Sequence, residues 1–320
     1  MIPFHSPIRR LRAFVTLVAL AWIGLGTGTA SGSSGGSPGA GPALATADRA
    51  GAGAGAVDSL AARLGRSGHL RAIVMDAGAA LSRVFPLAYL AASTALPPGI
   101  HDSGWRAPDG DPIVLLSLVP FAQKQGARLG AYRIGRWPQE RGGGSSSRYA
   151  LPAGFIEVTP DNQDTRVSKR FRLRDFLTKD QASVWPKYVC LELALIDKLE
   201  LVADELERRG RPAELSVMSG FRTPQYNEKG VGARGGRAGD SRHMYGDAAD
   251  VFVDADRDGR MDDLDGDGRV TLADAHYLAS LVESVEREHP DLVGGLSAYK
   301  ATRAHGPFVH VDVRGRAARW

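Results

Sequence analysis

Ser241-Arg242-His243-Met244-Tyr245-Gly246-Asp247-Ala248-Ala249-Asp250 and Phe308-Val309-His310-Val311-Asp312, whose His310 is sixty residues after Asp250, hold the chemistry of this chain. Together they offer two imidazoles and a carboxylate: His243, Asp250 seven positions later, and His310. In the second stretch His310 and Asp312 are two apart, which on a strand places both on one face. Two neutral imidazoles and one carboxylate fill three corners of a tetrahedron and leave the fourth for water. That is how a catalytic zinc site differs from a closed structural one. A lone histidine beside a turn would mean little; three ordered donors in two patterned stretches predict zinc on His243, Asp250 and His310.

Upstream stands Ser219-Gly220-Phe221-Arg222-Thr223-Pro224-Gln225-Tyr226-Asn227, and before it Phe171-Arg172-Leu173-Arg174-Asp175-Phe176. The set Ser241, His243, Gly246, Ala248 and Asp250 resembles the metal signature of the zinc D-Ala-D-Ala carboxypeptidase and endopeptidase family of peptidoglycan. Ser219 to Pro224 resembles that family's Ser-Gly-Tyr/Phe-Arg-Ser/Thr-Pro segment, and Phe171 to Phe176 its Phe-x-Leu-x-Glu-Phe lead-in. The Phe308 to Asp312 ending, closing on Trp320, is similar to the periplasmic murein endopeptidase branch. The resemblance spans about Val167 to Trp320, roughly half the chain. It implies an α+β catalytic domain over 165–320: a small, mainly antiparallel sheet with flanking helices. Its strands would include Leu215 to Met218, Ala249 to Val253 and Phe308 to Val313.

The implied reaction is hydrolysis of an amide in a peptidoglycan stem or cross-link. Arg222 is the expected electrophilic clamp, since a guanidinium holds a carboxylate or carbonyl oxygen through two parallel bonds. Ser241 is expected to bind substrate or support a ligand. Many family members place a general base, a glutamate, three residues before the last histidine. Here that position is Pro307, which cannot serve. His305 is the nearest substitute, because imidazole titrates near neutrality. Asp312 is the second candidate, or else the group that orients a histidine ligand.

Between the metal motif and the last strand lies an acidic insert, 254–275. Asp263-Leu264-Asp265-Gly266-Asp267-Gly268-Arg269-Val270-Thr271-Leu272-Ala273-Asp274 fits the twelve-residue EF-hand loop, with Gly268 at the sharp turn. Calcium would take oxygens from Asp263, Asp265, Asp267, the Arg269 carbonyl, Thr271 and Asp274. Aspartate rather than glutamate at the twelfth position resembles dockerin-type loops. An overlapping run begins at Asp254 with Asp256, Asp258, Gly259 and Asp262, and would share Asp265. Both cannot be independent helix-flanked hands. A structural role for calcium follows, since clustered carboxylates repel one another until a cation gathers them.

The rest of the chain is less specific. Its 320 residues suffice for a sizeable core, and 43% hydrophobic with 24% charged content is that of a globular protein. A net charge of +4 is mildly basic and scattered, so it fits an anionic wall polymer, and no basic patch interleaved with aromatics suggests nucleic acid. Arg9, Arg10 and Arg12, the apolar run Ala13 to Leu25 and the small residues Thr27 to Ala30 read as an export signal over 1–30. Export to the periplasm or cell envelope follows, with a membrane contact only if that signal is retained. A Gly/Ala/Ser-rich tether is expected over 31–56. Helical spacing of Leu60, Leu64, Ala72, Val74, Leu81 and Val84 predicts a helical segment over 57–100. Strand-like runs at Pro112–Leu116, Gly130–Gly135 and Gly154–Val158 predict a small β-rich module over 101–160. Tyr188 to Arg209 has the spacing of an amphipathic helix. The single cysteine, Cys190, sits in an apolar run and reads as a core residue.

Two other functions compete with a zinc peptidase. One is a wall-binding module that keeps the fold without the chemistry. The other is a calcium-dependent adhesion or scaffold protein with the acidic loops as its working part.

Overall fold

The computed structural model describes residues 64–76, 96–142, 149–232 and 236–320. The expected export signal, the tether and most of the 57–100 segment lie outside the described residues. Among the described residues no helix is long and apolar enough to cross a membrane.

The first sheet joins β1 (Ala72–Met75), β2 (Gly99–Arg106) and β3 (Pro112–Ser117) in the order β1-β3-β2. Strand β1 falls where the apolar spacing predicts helix. Ile73 and Val74 are β-branched, and Ala72 to Met75 pair in parallel with Val114 to Ser117. A partner forty residues away overrides a local period. Short strands β4 (Val119–Pro120), β5 (Arg128–Leu129), β6 (Tyr132–Arg133), β7 (Gly154–Val158) and β8 (Lys187–Val189) follow, with β4-β7-β8 forming one sheet and β5-β6 a hairpin.

Helix α1 (Leu193–Arg208) starts five residues later than its apolar period suggests. Tyr188 and Val189 belong to β8, where they pair with Glu157 and Ile156 of β7. The helix ends at Gly210, whose φ of +66° suits a residue without Cβ. Strand β9 (Leu215–Ser219), the short α2 (Pro224–Glu228), β10 (Ala248–Val253), α3 (Leu272–Glu288), β11 (Gly295–Tyr299), β12 (Phe308–Asp312) and β13 (Ala318–Arg319) complete the chain. They form a five-stranded sheet in the order β13-β11-β12-β10-β9, antiparallel except for the β11–β13 pair. The architecture is α+β, with small sheets and few helices.

One face of this sheet packs on α1 and α3. Ala249, Val251, Val309 and Val311 meet Leu195, Leu199, Val202, Leu278 and Val282, all fully buried. Each such leucine contributes about 1.5–3 kcal/mol by leaving water. Lys198 of α1 is buried in the same layer. Its ammonium donates to Glu286 Oε1 of α3 at 2.6 Å and to the Asp312 carbonyl at 2.9 Å.

Among the described residues one hydrophobic cluster draws members from Leu70 to Val311, and a second, smaller one gathers Ile73, Met75, Ile113 and Leu115 of β1 and β3. The expected boundary at 160–165 is therefore not a boundary in packing, and β7 and β8 pair across it. Trp137, fully buried against Phe121 and Phe155, donates its indole N–H to the Met244 carbonyl at 2.9 Å. The β-rich region thus holds the turn that carries His243.

Candidate metal centre

The other face of the sheet carries one lateral row across four strands. Ser219 of β9 pairs with Asp250 of β10, Asp250 with His310 of β12, and His310 with Ser297 of β11. Partners in a ladder project to the same face. Register alone therefore brings Asp250 and His310 together, while Val251 and Val309 point to the core.

His243 arrives from outside the sheet, on a 3-10 turn over Arg242–Tyr245. The turn closes on Gly246 at φ +78°, and a Cβ there would lie 2.3 Å from the Cys190 backbone carbonyl. That contact is the reason for glycine in the Ser-x-His-x-x-Gly pattern. Gly220 is equally confined: a Cβ would lie 2.7 Å from the Phe176 Cα. The Phe171–Phe176 segment thus seats the Ser219–Arg222 segment, and Phe221 N–H donates to the Phe176 carbonyl at 3.0 Å. Thr223 caps α2 by accepting from Tyr226 N–H at 3.1 Å, with Pro224 at the first helical position.

His243 Nε2, Asp250 Oδ1 and His310 Nδ1 converge. Their separations are 3.2 Å between His243 and Asp250, 3.0 Å between His310 and Asp250, and 3.2 Å between the imidazoles. Donor atoms about 2.0–2.1 Å from a tetrahedral zinc stand roughly 3.3 Å apart, close to this spacing. The far ring nitrogens fix the tautomers. His243 Nδ1 lies 2.7 Å from the Gly220 carbonyl, which can only accept, so Nδ1 carries the proton and Nε2 keeps its lone pair. His310 Nε2 lies 3.3 Å from Asp312 Oδ2, which leaves Nδ1 as the lone pair. Three acceptors aimed at one point repel one another unless a cation sits between them.

All three groups are buried, at 1%, 4% and 8% exposure for His243, Asp250 and His310. Burial lowers the His243 pKa, opposing its charged form. Burial would raise Asp250, but the imidazoles and Arg222 outweigh it and hold the carboxyl well below the usual range. His310 is pushed up: its bonds to Asp250 and Asp312 exceed the opposing burial. These donors fit a transition metal such as zinc; the set itself does not name the ion.

Arg222 borders the cluster. Its Nη2 pairs with Asp250 Oδ2, and its Nε donates to Ser219 Oγ at 2.8 Å. Ser241 opens the 3-10 turn, its carbonyl accepting from Met244 N–H at 3.0 Å. Asp312 is fully engaged. It receives Gly295 N–H at 2.6 Å, both Nε and Nη2 of Arg314, and His310. Burial opposes its charge, yet those donors hold it far below the usual carboxylate range. Asp312 therefore faces His310 as an orienting carboxylate would. His305 is not in the cluster. Its Nδ1 lies 2.8 Å from the Gly306 carbonyl and its ring meets Phe308 edge-on, which keeps Nε2 as a lone pair.

The acidic insert forms two congruent turns nine residues apart. Asp256 accepts from Asp258 N–H and Asp258 from Arg260 N–H; Asp265 and Asp267 repeat this with Asp267 and Arg269. Asp254 accepts from Gly259 N–H, as Asp263 does from Gly268 N–H. Asp254, Asp256 and Asp258 gather in one group that could hold a cation, and Asp263, Asp265 and Asp267 in another. Asp265 thus serves the second turn and is not shared. Asp274, an expected ligand, has backbone partners here. It is fully buried and its two oxygens accept from the N–H groups of Leu264, Asp265 and Thr271. Thr271, whose hydroxyl accepts from Ala273 N–H, caps α3. Both residues start the helix, the usual work of a capping box.

Sequence reasoning missed Ser219 as the anchor of Arg222, Trp137 as the support of the His243 turn, and Arg314 as the holder of Asp312. Only Ser219 left a trace, through its place in the Ser-Gly-Phe-Arg run. No family model matches the chain, and no curated protein or solved structure matches it either.

Proposed function

We infer that this is an exported zinc metallopeptidase that hydrolyses amide bonds in peptidoglycan stem peptides or cross-links, with the α+β fold of the zinc D-Ala-D-Ala peptidases. The observation that carries this reading is the convergence of three lone pairs beside a buried arginine. Zinc bound by His243, Asp250 and His310 would act as a Lewis acid and lower the pKa of water from about 15.7 to about 7.

The chain's own residues supply the rest. Gly220 and Asp312 fix the two imidazoles. Arg222, held by Ser219 and Asp250, presents its remaining guanidinium edge to a substrate carboxylate or carbonyl. Ser241 lies at the rim of the same turn. His305 Nε2 is the assigned proton acceptor, since Asp312 is spent on Arg314 and Pro307 stands where a glutamate would serve. The two acidic turns hold calcium that orders the insert between β10 and α3.

The absence of a carboxylate base at Pro307 favours one second reading, a wall-binding protein that retains the metal without turnover. A muropeptide digest separates the two. Mature protein is mixed with cross-linked peptidoglycan, with and without chelator and beside His243→Ala, and products are weighed by mass spectrometry. New free amines or lost D-Ala, abolished by chelator and mutation, establish the peptidase. An unchanged digest from folded, zinc-loaded protein moves the assignment to binding.

A further inference from the structure

Beside His310 stands an aromatic group that the roles above do not use. Tyr299 and Phe308 are cross-strand partners on β11 and β12, and their rings stack at 4.7 Å with an interplanar angle of 5°. Phe308 is two residues before His310, so all three side chains are on the metal face of the sheet. Trp320 spans the gap. Its ring centroid lies 5.3 Å from that of His310, and its Nε1–H donates to the Tyr299 hydroxyl oxygen at 2.7 Å.

Trp320 is 57% exposed, yet it is fastened on several sides. Its carbonyl accepts from Ser297 Oγ, and the Arg314 guanidinium lies 5.3 Å from the indole centroid. That same Arg314 holds Asp312, which orients His310. The indole is therefore a fixed wall of the site.

The consequence falls on Tyr299. Its oxygen already accepts from the indole, so its own proton points elsewhere. Among the described residues no acceptor receives it. A phenolic O–H on the metal face of the sheet, aimed by an indole that packs against His310, is suited to an oxygen that gains negative charge.

We propose that the Tyr299 hydroxyl, held by Trp320 Nε1–H, is a catalytic hydrogen-bond donor to the substrate's scissile carbonyl oxygen. The proposal rests on the peptidase reading and extends it. As water oxygen adds to the carbonyl carbon, the C=O π pair moves to oxygen, and the hydrogen bond from the phenol O–H to that oxygen strengthens and shortens. When the C–N bond breaks, that pair returns and the amine leaves with a proton from the water. Tyr299 keeps its own proton throughout. Donors fixed in advance where charge develops are the largest single contributors in many hydrolases.

The test compares wild type, Tyr299→Phe and Trp320→Phe, each shown to be folded and to hold zinc. Tyr299→Phe keeps the ring on Phe308 and deletes only the donor. It is expected to lower kcat on cross-linked muropeptides by about 10²–10³-fold, the usual cost of one such donor, with KM little changed. Trp320→Phe removes the N–H that aims the phenol and is expected to lose less. A second readout is independent of turnover. A phosphinate pseudodipeptide, whose tetrahedral anionic oxygen copies the charged carbonyl, should bind Tyr299→Phe at least about tenfold more weakly by calorimetry. Active wild type with Tyr299→Phe inside threefold of it in kcat and phosphinate affinity overturns the donor role and leaves the peptidase standing. Zinc-loaded wild type that neither turns over muropeptides nor binds the phosphinate overturns both.

Discussion

Asp250 and His310 are direct partners in the β10–β12 ladder, and their facing atoms stand 3.0 Å apart. Because strand side chains alternate, the register that joins this pair also sends Val251 and Val309 into the core against α1 and α3. A slip of one residue would exchange the two faces. Metal chemistry and core packing are thus fixed by the same pairing.

Each of His243→Ala, Asp250→Ala and His310→Ala should lower zinc content from one per chain to background, read by elemental analysis after dialysis. Asp312→Ala should retain a weaker site. Removing the partner that orients a ligand imidazole costs about 10–100-fold in metal affinity. Competition with a chromophoric chelator checks this; full affinity in Asp312→Ala would show that His310 needs no orienting carboxylate.

Arg222→Lys should keep stoichiometric zinc and lose about 10²–10³-fold in kcat. A lysine carries the charge but not the planar fork that spans Ser219, Asp250 and a substrate oxygen together. Steady-state kinetics on muropeptides beside a zinc assay reads both at once.

Glu286→Ala should destabilise the fold by about 3–5 kcal/mol, because Lys198 would be left buried and uncompensated. The pair Lys198→Met with Glu286→Leu should recover much of that loss. Urea unfolding of the two singles and the double measures the coupling. Equal losses in all three would mean that packing rather than charge decides this site.

Asp267→Ala and Asp274→Ala should behave differently. The first should keep its stability in chelator but lose the rise in melting temperature on adding calcium. At a calcium concentration a hundred times Kd, that rise corresponds to about 2.7 kcal/mol. The second should lose stability with or without calcium, since it deletes acceptors for the Thr271 N–H at the start of α3 and for the Leu264 and Asp265 N–H groups in the loop before it. Calorimetric scans with calcium or chelator separate the two.

Stability should also fall on the alkaline side. Burial, and then the Glu157 carboxylate that accepts its hydroxyl, raise Tyr188 from 10.0 to about 12. Burial raises Tyr132 further still. A raised folded-state pKa means that the stabilisation is complete below pH 10 and is lost as pH climbs toward the folded value. Tyrosinate absorbance should therefore show these phenols ionising late or together with unfolding, and Tyr188→Phe should flatten the loss between pH 10 and 12.

By itself the sequence picked out His243, Asp250 and His310 as candidate donors, because two imidazoles and a carboxylate are the residue types a metal site needs. It placed the body of α1 through a helical apolar stripe, and β9, β10 and β12 through the motifs that carry the family resemblance. It determined the acidic turns, whose repeat is local. Only the tertiary structure decided what depends on pairing across long separations. Strand β1 exists because β3 lies beside it, and Lys187–Val189 is a strand because β7 supplies the ladder. Asp274 starts a helix through Thr271 and also ties down Leu264 and Asp265 ten and nine residues back, and Asp312 is engaged by Arg314 and Gly295 as well as by His310. Trp137, Tyr299 and Trp320 reached the site through contacts that leave no period in the chain. Local patterns record which face a residue shows, whereas the partner it meets there is set by register and packing of distant segments.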